Sequence, residues 1–214
     1  LVELTGSPSN TAEQRAPSLA YDSTNLFYVV AFEDYSLEAD NGADVRVVRL
    51  QLDPADTMDQ KLDGSLDIED SAGISILAGG NQAIEDGQRA PSIAFNDLSN
   101  ALAVVWQDFR DGSGDIRGAQ FFADTGVPLG DVLVSGVSSL QESAPEIGFA
   151  QANYLVTYRQ QDGADVKVLG RRYLDDFTSL DSSSLDLSGM QSGGNPAVAS
   201  QGSTFFVTWR GGGQ

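Results

Sequence analysis

The chain has 214 residues, of which 41% are hydrophobic, so it is long enough to bury a sizeable core and apolar enough to fold. Its 31 acidic residues against 12 basic ones give a formal net charge of -19, which argues against nucleic acid and anionic lipid surfaces as partners. The chain contains no Cys and no His, which excludes disulfides, thiol catalysis, His-ligated zinc and a Ser-His-Asp triad.

Reading from the N-terminus, one pattern occurs four times. Each copy has a Pro, a short alternating apolar run, a polar turn, and a second run that ends in an aromatic residue. The prolines are Pro17, Pro91, Pro145 and Pro196, and the aromatic residues are Phe32, Trp106, Tyr158 and Trp209. Short β-branched and aromatic runs between turn residues predict two strands per copy. We expect the Pro to start the first strand, where no backbone donor is needed, and the aromatic residue to be buried between repeats.

The first three copies continue into a third and a fourth run. The third run contains Asp, then Val or Ile, then a basic residue, at Asp44, Asp115 and Asp165. The fourth runs read "GISILAG", "DVLVSG" and "LDLSG". Four short strands in one repeat are typical of a propeller blade. The sequence therefore predicts an all-β, β-propeller-like fold of four-stranded antiparallel blades, with about four blades wholly or partly present.

The repeats divide the chain into a single propeller-like domain, or a fragment of a larger propeller. Residues 1–10 read as the fourth strand of a preceding or closing blade. Blades are predicted at 11–80, 81–138 and 139–190, with a partial blade at 191–214. The first blade carries an acidic insertion at 53–72, which is expected to form a loop on one face.

The stretch from Pro91 to Ser135, with "VVWQD", a Gly-rich turn, "DIRG" and "DTGVPLGDVLVS", resembles the propeller repeats of large secreted or surface bacterial proteins. The resemblance extends less closely over the first and third copies. It implies a β-propeller and an extracellular or cell-surface location, although a signal peptide is not present in this chain. It implies no particular activity, because such blades occur in proteins of many functions.

The turn after the second strand of the second repeat supplies three carboxylates, from Asp108, Asp111 and Asp115. Ca²⁺ binds through oxygen ligands, so these residues are the candidate metal ligands of the chain. The same pattern also suits a tight hairpin turn, because Asp-Gly pairs favour such turns. The structural interpretation also leaves open ion pairs between blades, formed by the Asp and basic residue of each repeat. We interpret the stretch as a turn first and a calcium site second.

No catalytic residue and no cofactor-binding residue is assigned from the sequence. The favoured interpretation is a non-catalytic binding or structural propeller module of an exported bacterial protein. One alternative is a part of a glycan-active propeller enzyme, a hydrolase or lyase, because paired carboxylates hydrolyse glycosides without His. A second alternative is a self-assembling surface or filament subunit.

The expected partners follow from these alternatives. The sequence leaves open a protein or glycan partner, and self-association through open strand edges. No window approaches about 20 unbroken apolar residues, so no membrane insertion is predicted. No cofactor is required by this interpretation, and Ca²⁺ is the one cofactor that the acidic loops leave open.

Overall fold

The computed structural model describes residues 13–35, 43–50, 74–75, 87–126, 128–136, 139–189 and 192–211. Throughout these ranges the regular secondary structure is strand. In the same ranges, no helix has the length and apolar character needed to cross a membrane.

Fourteen described strands form four sheets. The first sheet contains β1 (Gln14–Asp22), β2 (Phe27–Asp34), β3 (Asp44–Leu50) and β4 (Ile74–Ser75); the second β5 (Gln88–Asn96), β6 (Ala101–Asp108), β7 (Asp115–Phe122) and β8 (Pro128–Ser135); the third β9 (Gln141–Ala150), β10 (Asn153–Asp162), β11 (Asp165–Leu174) and β12 (Leu185–Asp186); and the fourth β13 (Gly193–Gln201) and β14 (Thr204–Gly211). Each sheet follows chain order, and every pair is antiparallel. The predicted four-stranded repeat is therefore confirmed in the first three sheets.

The predicted divisions between blades fall in or beside ranges that the structure does not describe, so they stay predictions. The expected N-terminal strand at 1–10 and the acidic insertion at 53–72 also lie outside the described residues.

The first strands of successive sheets pack side by side: β1 contacts β5, β5 contacts β9, and β9 contacts β13. Hydrogen bonds at equivalent positions join them. The Ile93 N–H donates to Ser18 Oγ, and the Ile147 N–H donates to Ser92 Oγ, both at 3.2 Å. These four strands therefore form the innermost layer of the assembly, where propeller blades meet.

The hydrophobic core lies between neighbouring sheets. One buried cluster joins the first and second sheets, and another joins the second and third. Trp106 and Tyr158 are fully buried in these two clusters, and Phe32 is buried as well. The prediction that these aromatic residues pack between repeats is confirmed for Trp106 and Tyr158. Phe32 is buried among residues of its own sheet, and Trp209 in the fourth sheet is half-buried.

The repeated Pro lies inside the first strand, so the expectation that it starts the strand is wrong. Pro17 and Pro91 are each the fourth residue of their strand. The register of pairing shifts at both, and the preceding Ala16 and Ala90 have left-handed φ values of 48° and 49°. The chain bulges there, so the ladder does not need the N–H that Pro lacks.

Candidate functional site

The Asp-rich stretch of the second repeat forms the tight hairpin that joins β6 to β7. Asp108 and Asp115 face each other as the last pair of the two strands. The turn between them contains Gly112, at φ +81°, and its N–H donates to the Phe109 carbonyl at 2.9 Å. Because glycine adopts this left-handed conformation without steric cost, the Asp-Gly pair is suited to the turn.

Asp108 is buried and fully engaged within its own repeat. Its carboxylate accepts hydrogen bonds from the Trp106 indole at 3.0 Å, and from the Arg110 guanidinium at 2.7 Å to each oxygen. Burial would raise the pKa of Asp108, but the bonds from Arg110 and Trp106 outweigh it and hold the pKa below its usual value. The carboxylate therefore acts as an ionised anchor for the end of β6.

The other two candidate ligands have different surroundings. Asp111 is exposed and forms an ion pair with Arg117 at 3.5 Å. Asp115 is buried, and its pKa is raised by burial and by the neighbouring Asp111. Within the described ranges, no three Asp or Glu side chains are arranged to hold a metal ion. Calcium binding by Asp108, Asp111 and Asp115 stays a prediction.

The ion pairs that the described ranges show at these loops lie within sheets, and pairs between blades stay a prediction. Arg46 pairs with Asp34 of the same sheet at 2.6 Å. Lys167 likewise pairs with Asp186, its neighbour across β11 and β12, at 3.4 Å. The register explains this result, because each basic residue lies on the third strand, directly beside the second or fourth strand of its own sheet.

A cavity of the described structure lies where the innermost strands meet. It has a volume of about 380 Å³ and is bounded by β1, β5, β9 and β13, together with the turns that follow β1 and β5. We call it the axial pocket. Its lining residues are Leu19, Ala20, Tyr21, Ser23, Ile93, Ala94, Phe95, Asp97, Ile147, Gly148, Phe149, Val198, Ala199 and Ser200.

The axial pocket combines aromatic rings with a few polar groups. Tyr21, Phe95 and Phe149 are at equivalent positions of three repeats, each four residues after the repeated Pro. Tyr21 is 47% exposed and packs against Tyr28, with ring centroids 5.1 Å apart. Asp97 is the one charged residue of this lining. Most of the surface that the pocket exposes is polar, and the three rings lie at its border. Polar groups placed beside aromatic rings give a small-molecule site its specificity.

Glu146 is a carboxyl group that interrupts the repeat on an innermost strand. The equivalent residues are Ser18, Ser92 and Ala197. Ser92 Oγ donates to Glu146 Oε2 at 3.0 Å across the junction of β5 and β9. Burial raises the pKa of Glu146, and the bond from Ser92 only partly opposes it. A partly buried carboxyl of this kind is suited to hold a proton at higher pH than an exposed one.

Sequence reasoning did not identify the axial pocket or Glu146. The sequence analysis used the aromatic residue that ends each second run, whereas Tyr21, Phe95 and Phe149 recur at a second fixed distance after Pro. That second spacing marks the rings that line the pocket, although Phe95 and Phe149 also pack against the buried clusters. For Glu146, the signal is the exchange of Ser for Glu directly after the third Pro.

Four antiparallel sheets in chain order, packed face to face around their first strands, define a β-propeller fold. No family model and no curated protein sequence matches the chain.

Solved structures share the fold. The Hadza microbial sialidase Hz136 matches 92% of this chain with a TM-score of 0.60 and 9% identity, and the chain covers 42% of that protein. An exo-1,5-alpha-L-arabinanase from a bovine ruminal metagenomic library matches 95% of the chain at TM-score 0.56 and 12% identity, and 70% of it is covered. The Cellvibrio cellulosa alpha-L-arabinanase matches 96% at TM-score 0.52 and 13% identity, with 71% of it covered. These structures are glycan-active propeller enzymes, and the chain spans about two-fifths of the first.

Proposed function

We propose that this chain is part of a glycan-active β-propeller and that the axial pocket holds a sugar. The observation that carries the proposal is the pocket itself, in which Tyr21, Phe95 and Phe149 stand beside the polar Ser23, Asp97 and Ser200. Aromatic faces suit the apolar face of a sugar ring, while hydroxyl and carboxylate groups accept or donate hydrogen bonds to its hydroxyls. Proteins named as arabinanases and a sialidase have the same fold. This similarity supports glycan recognition over a purely structural role.

The charge of the pocket favours an uncharged sugar unit at this position. Of the described residues that line it, Asp97 is charged and none is Lys or Arg. A carboxylate or sulfate on the ligand would be repelled by Asp97 and would gain no cation there. The resemblance of the repeats to secreted bacterial proteins supports a location outside the cell, where polysaccharides are available.

Binding titrations with neutral oligosaccharides test this proposal. Arabino-oligosaccharides and a panel of other neutral oligosaccharides are titrated by calorimetry into the wild-type chain and into Tyr21→Ala. Loss of an exposed aromatic contact is expected to weaken binding about tenfold or more. Leu98→Ala is the matched control, because Leu98 is 64% exposed in a turn outside the pocket lining. Equal affinities for wild type and Tyr21→Ala, or no binding of any neutral oligosaccharide, would contradict the proposal.

Glycoside hydrolysis is a second candidate function, favoured by Glu146. A carboxyl with a raised pKa suits the general acid that protonates a leaving-group oxygen. Hydrolysis also requires a second carboxylate. Glu146 lies outside the described lining of the axial pocket, so Asp97 of that lining is not assigned as its partner. If Glu146 is that acid, Glu146→Gln abolishes release of reducing sugar, and the wild-type rate falls as pH rises through the raised pKa. If the wild-type chain releases no reducing sugar although it and Glu146→Gln both bind oligosaccharides, the function is binding without hydrolysis.

A further inference from the structure

Arg89 is an exposed arginine that stacks on an aromatic ring. It lies at the start of β5, and its guanidinium is stacked over the Phe109 ring at 5.6 Å from the centroid. Among the residues that the structure describes, no carboxylate forms an ion pair or hydrogen bond with it. Arg171, which also stacks on a ring, differs in that its guanidinium donates hydrogen bonds to Ser179 Oγ and to two backbone carbonyls.

The first repeat shows what an ordinary structural arginine looks like at this position. Arg15 is the equivalent residue; its guanidinium stacks over Tyr35 at 4.8 Å and forms an ion pair with Glu13. The two sites are built in the same way, because the Tyr35 N–H donates to the Glu13 carbonyl at 3.0 Å and the Phe109 N–H donates to the Gly87 carbonyl at 3.3 Å.

The second repeat has no acidic residue at two positions that are acidic in the first. Gly87 stands where the first repeat has Glu13, and Gln107 stands where it has Glu33. Glu33 itself lies nearby but is already engaged: it is buried, accepts the Ala90 N–H at 2.7 Å, and accepts the Tyr35 hydroxyl at 2.8 Å. The second repeat therefore has the stacked arginine without the acidic partner that Arg15 has in the first.

The two arginine sites are linked through Glu33. Arg15 stacks over Tyr35, the Tyr35 hydroxyl donates to Glu33, and Glu33 accepts the N–H of Ala90, the residue that follows Arg89. The two stacked guanidiniums therefore belong to the starts of two neighbouring innermost strands. The lining of the axial pocket begins on β5 at Ile93, four residues after Arg89.

We propose that Arg89, flanked by Arg15 and Phe109, binds the carboxylate of an acidic sugar in the glycan that the axial pocket holds. Arginine presents a planar fork of donors that matches a carboxylate, and stacking on Phe109 holds that fork in place. The aromatic ring supplies a surface for the sugar itself, which distinguishes an acidic sugar from a bare inorganic anion. This inference rests on the proposed glycan recognition, but it concerns a different subsite.

The test compares two forms of one oligosaccharide that carries a single uronic acid at one end of otherwise neutral units: the free acid and its methyl ester, which differ only in the charge of that carboxyl group. Both are titrated into the wild-type chain at low ionic strength. A charge-assisted pair predicts about tenfold or tighter binding of the acid form, a preference that falls as salt is added. Arg89→Gln is expected to bring the two affinities together, and Arg89→Lys to keep part of the difference. Equal affinities of acid and ester for the wild-type chain would overturn the inference.

A control variant and a control anion complete the experiment. Arg172→Gln is matched to Arg89→Gln, because Arg172 is 53% exposed but bonded to Asp181; it should leave the preference for the acid form unchanged. Inorganic sulfate competing as strongly as the free-acid oligosaccharide would show a general anion site and overturn the sugar assignment. The proposal that the axial pocket binds a sugar is tested separately. Neutral oligosaccharides and the Tyr21→Ala variant report on that pocket without involving Arg89.

Discussion

Trp106 shows how one side chain joins packing and hydrogen bonding in a blade. It is fully buried between the first and second sheets, and its indole N–H donates to the ionised Asp108. A buried indole N–H without an acceptor would cost free energy. Asp108, two residues further along the chain, supplies that acceptor, so Trp can occupy this buried position.

Trp106→Ala should destabilise the chain by about 3–5 kcal/mol, because it leaves a cavity between two sheets and an Asp108 with fewer donors. Chemical denaturation measures the free energy of unfolding. Trp209→Ala is the matched control, since Trp209 is only half-buried in the fourth sheet and should cost less. Equal losses for the two variants would contradict this account of the core.

Asp108 also predicts how stability depends on pH. Its pKa is lower in the folded protein than in the unfolded chain, so it stabilises the fold above the unfolded value of about 3.9. That contribution is lost as the pH falls through the lower folded pKa. The difference in unfolding free energy between wild type and Asp108→Asn should therefore be largest near neutral pH and shrink in acid. Asp111→Asn, which changes an exposed carboxylate, should show a smaller difference, and the reverse order would refute this assignment.

At the scale of the strand, the repeated Ala-Pro bulge is the most unusual element. Ala16, Ala90 and Ala144 all have φ values of 48–49°, where a Cβ atom is strained. The surroundings compensate in the second repeat, where the bulged Ala90 N–H donates to buried Glu33 of the preceding sheet. The bulge thus turns a backbone donor toward the neighbouring blade and links two sheets.

Ala90→Gly should leave stability unchanged or raise it, because glycine adopts positive φ without the Cβ clash while the bond to Glu33 is kept. Ala197→Gly serves as the control, since Ala197 is an exposed residue of β13 and positive φ is absent there. It should lose about 0.5–1 kcal/mol, the usual cost of glycine in a regular strand. Thermal unfolding of both variants measures the contrast, and an equal loss in each would show that Ala90 carries no strain.

At the scale of the whole molecule, the formal charge of -19 governs how the chain responds to ions. Self-repulsion destabilises a compact chain of high net charge, and added salt screens it. A specific calcium site would add stability by mass action, about 2.7 kcal/mol at a hundredfold excess over the dissociation constant.

We expect CaCl₂ and NaCl of equal ionic strength to raise the melting temperature by similar amounts, because Asp108 is already bonded to Arg110 and Trp106. Melting curves with chelator, with CaCl₂ and with NaCl measure this. A larger effect of CaCl₂ that disappears in Asp115→Asn would instead establish the calcium site.

The blade architecture follows from the sequence because its signals are local. Alternating apolar residues, Asp-Gly turns and the fixed distance from Pro to an aromatic residue act within a few residues of one another. The strands, their antiparallel order and the burial of Trp106 and Tyr158 were predictable for that reason. The position of Pro17 within β1 was not, because the bulge depends on pairing with the neighbouring strand and sheet.

The candidate sites were decided by tertiary structure alone. The axial pocket brings together Tyr21, Phe95, Phe149 and Ser200, which occupy the same position in the four repeats. Successive members of this set lie some 50 or more residues apart in the sequence. Whether Arg89 has an acidic partner depends on which residues fold up around its guanidinium. Glu33 is engaged by a hydrogen bond from Ala90, which belongs to the neighbouring sheet. Repetition in the sequence specifies how each blade is built, whereas the packing of one blade on the next determines which side chains remain available to a ligand.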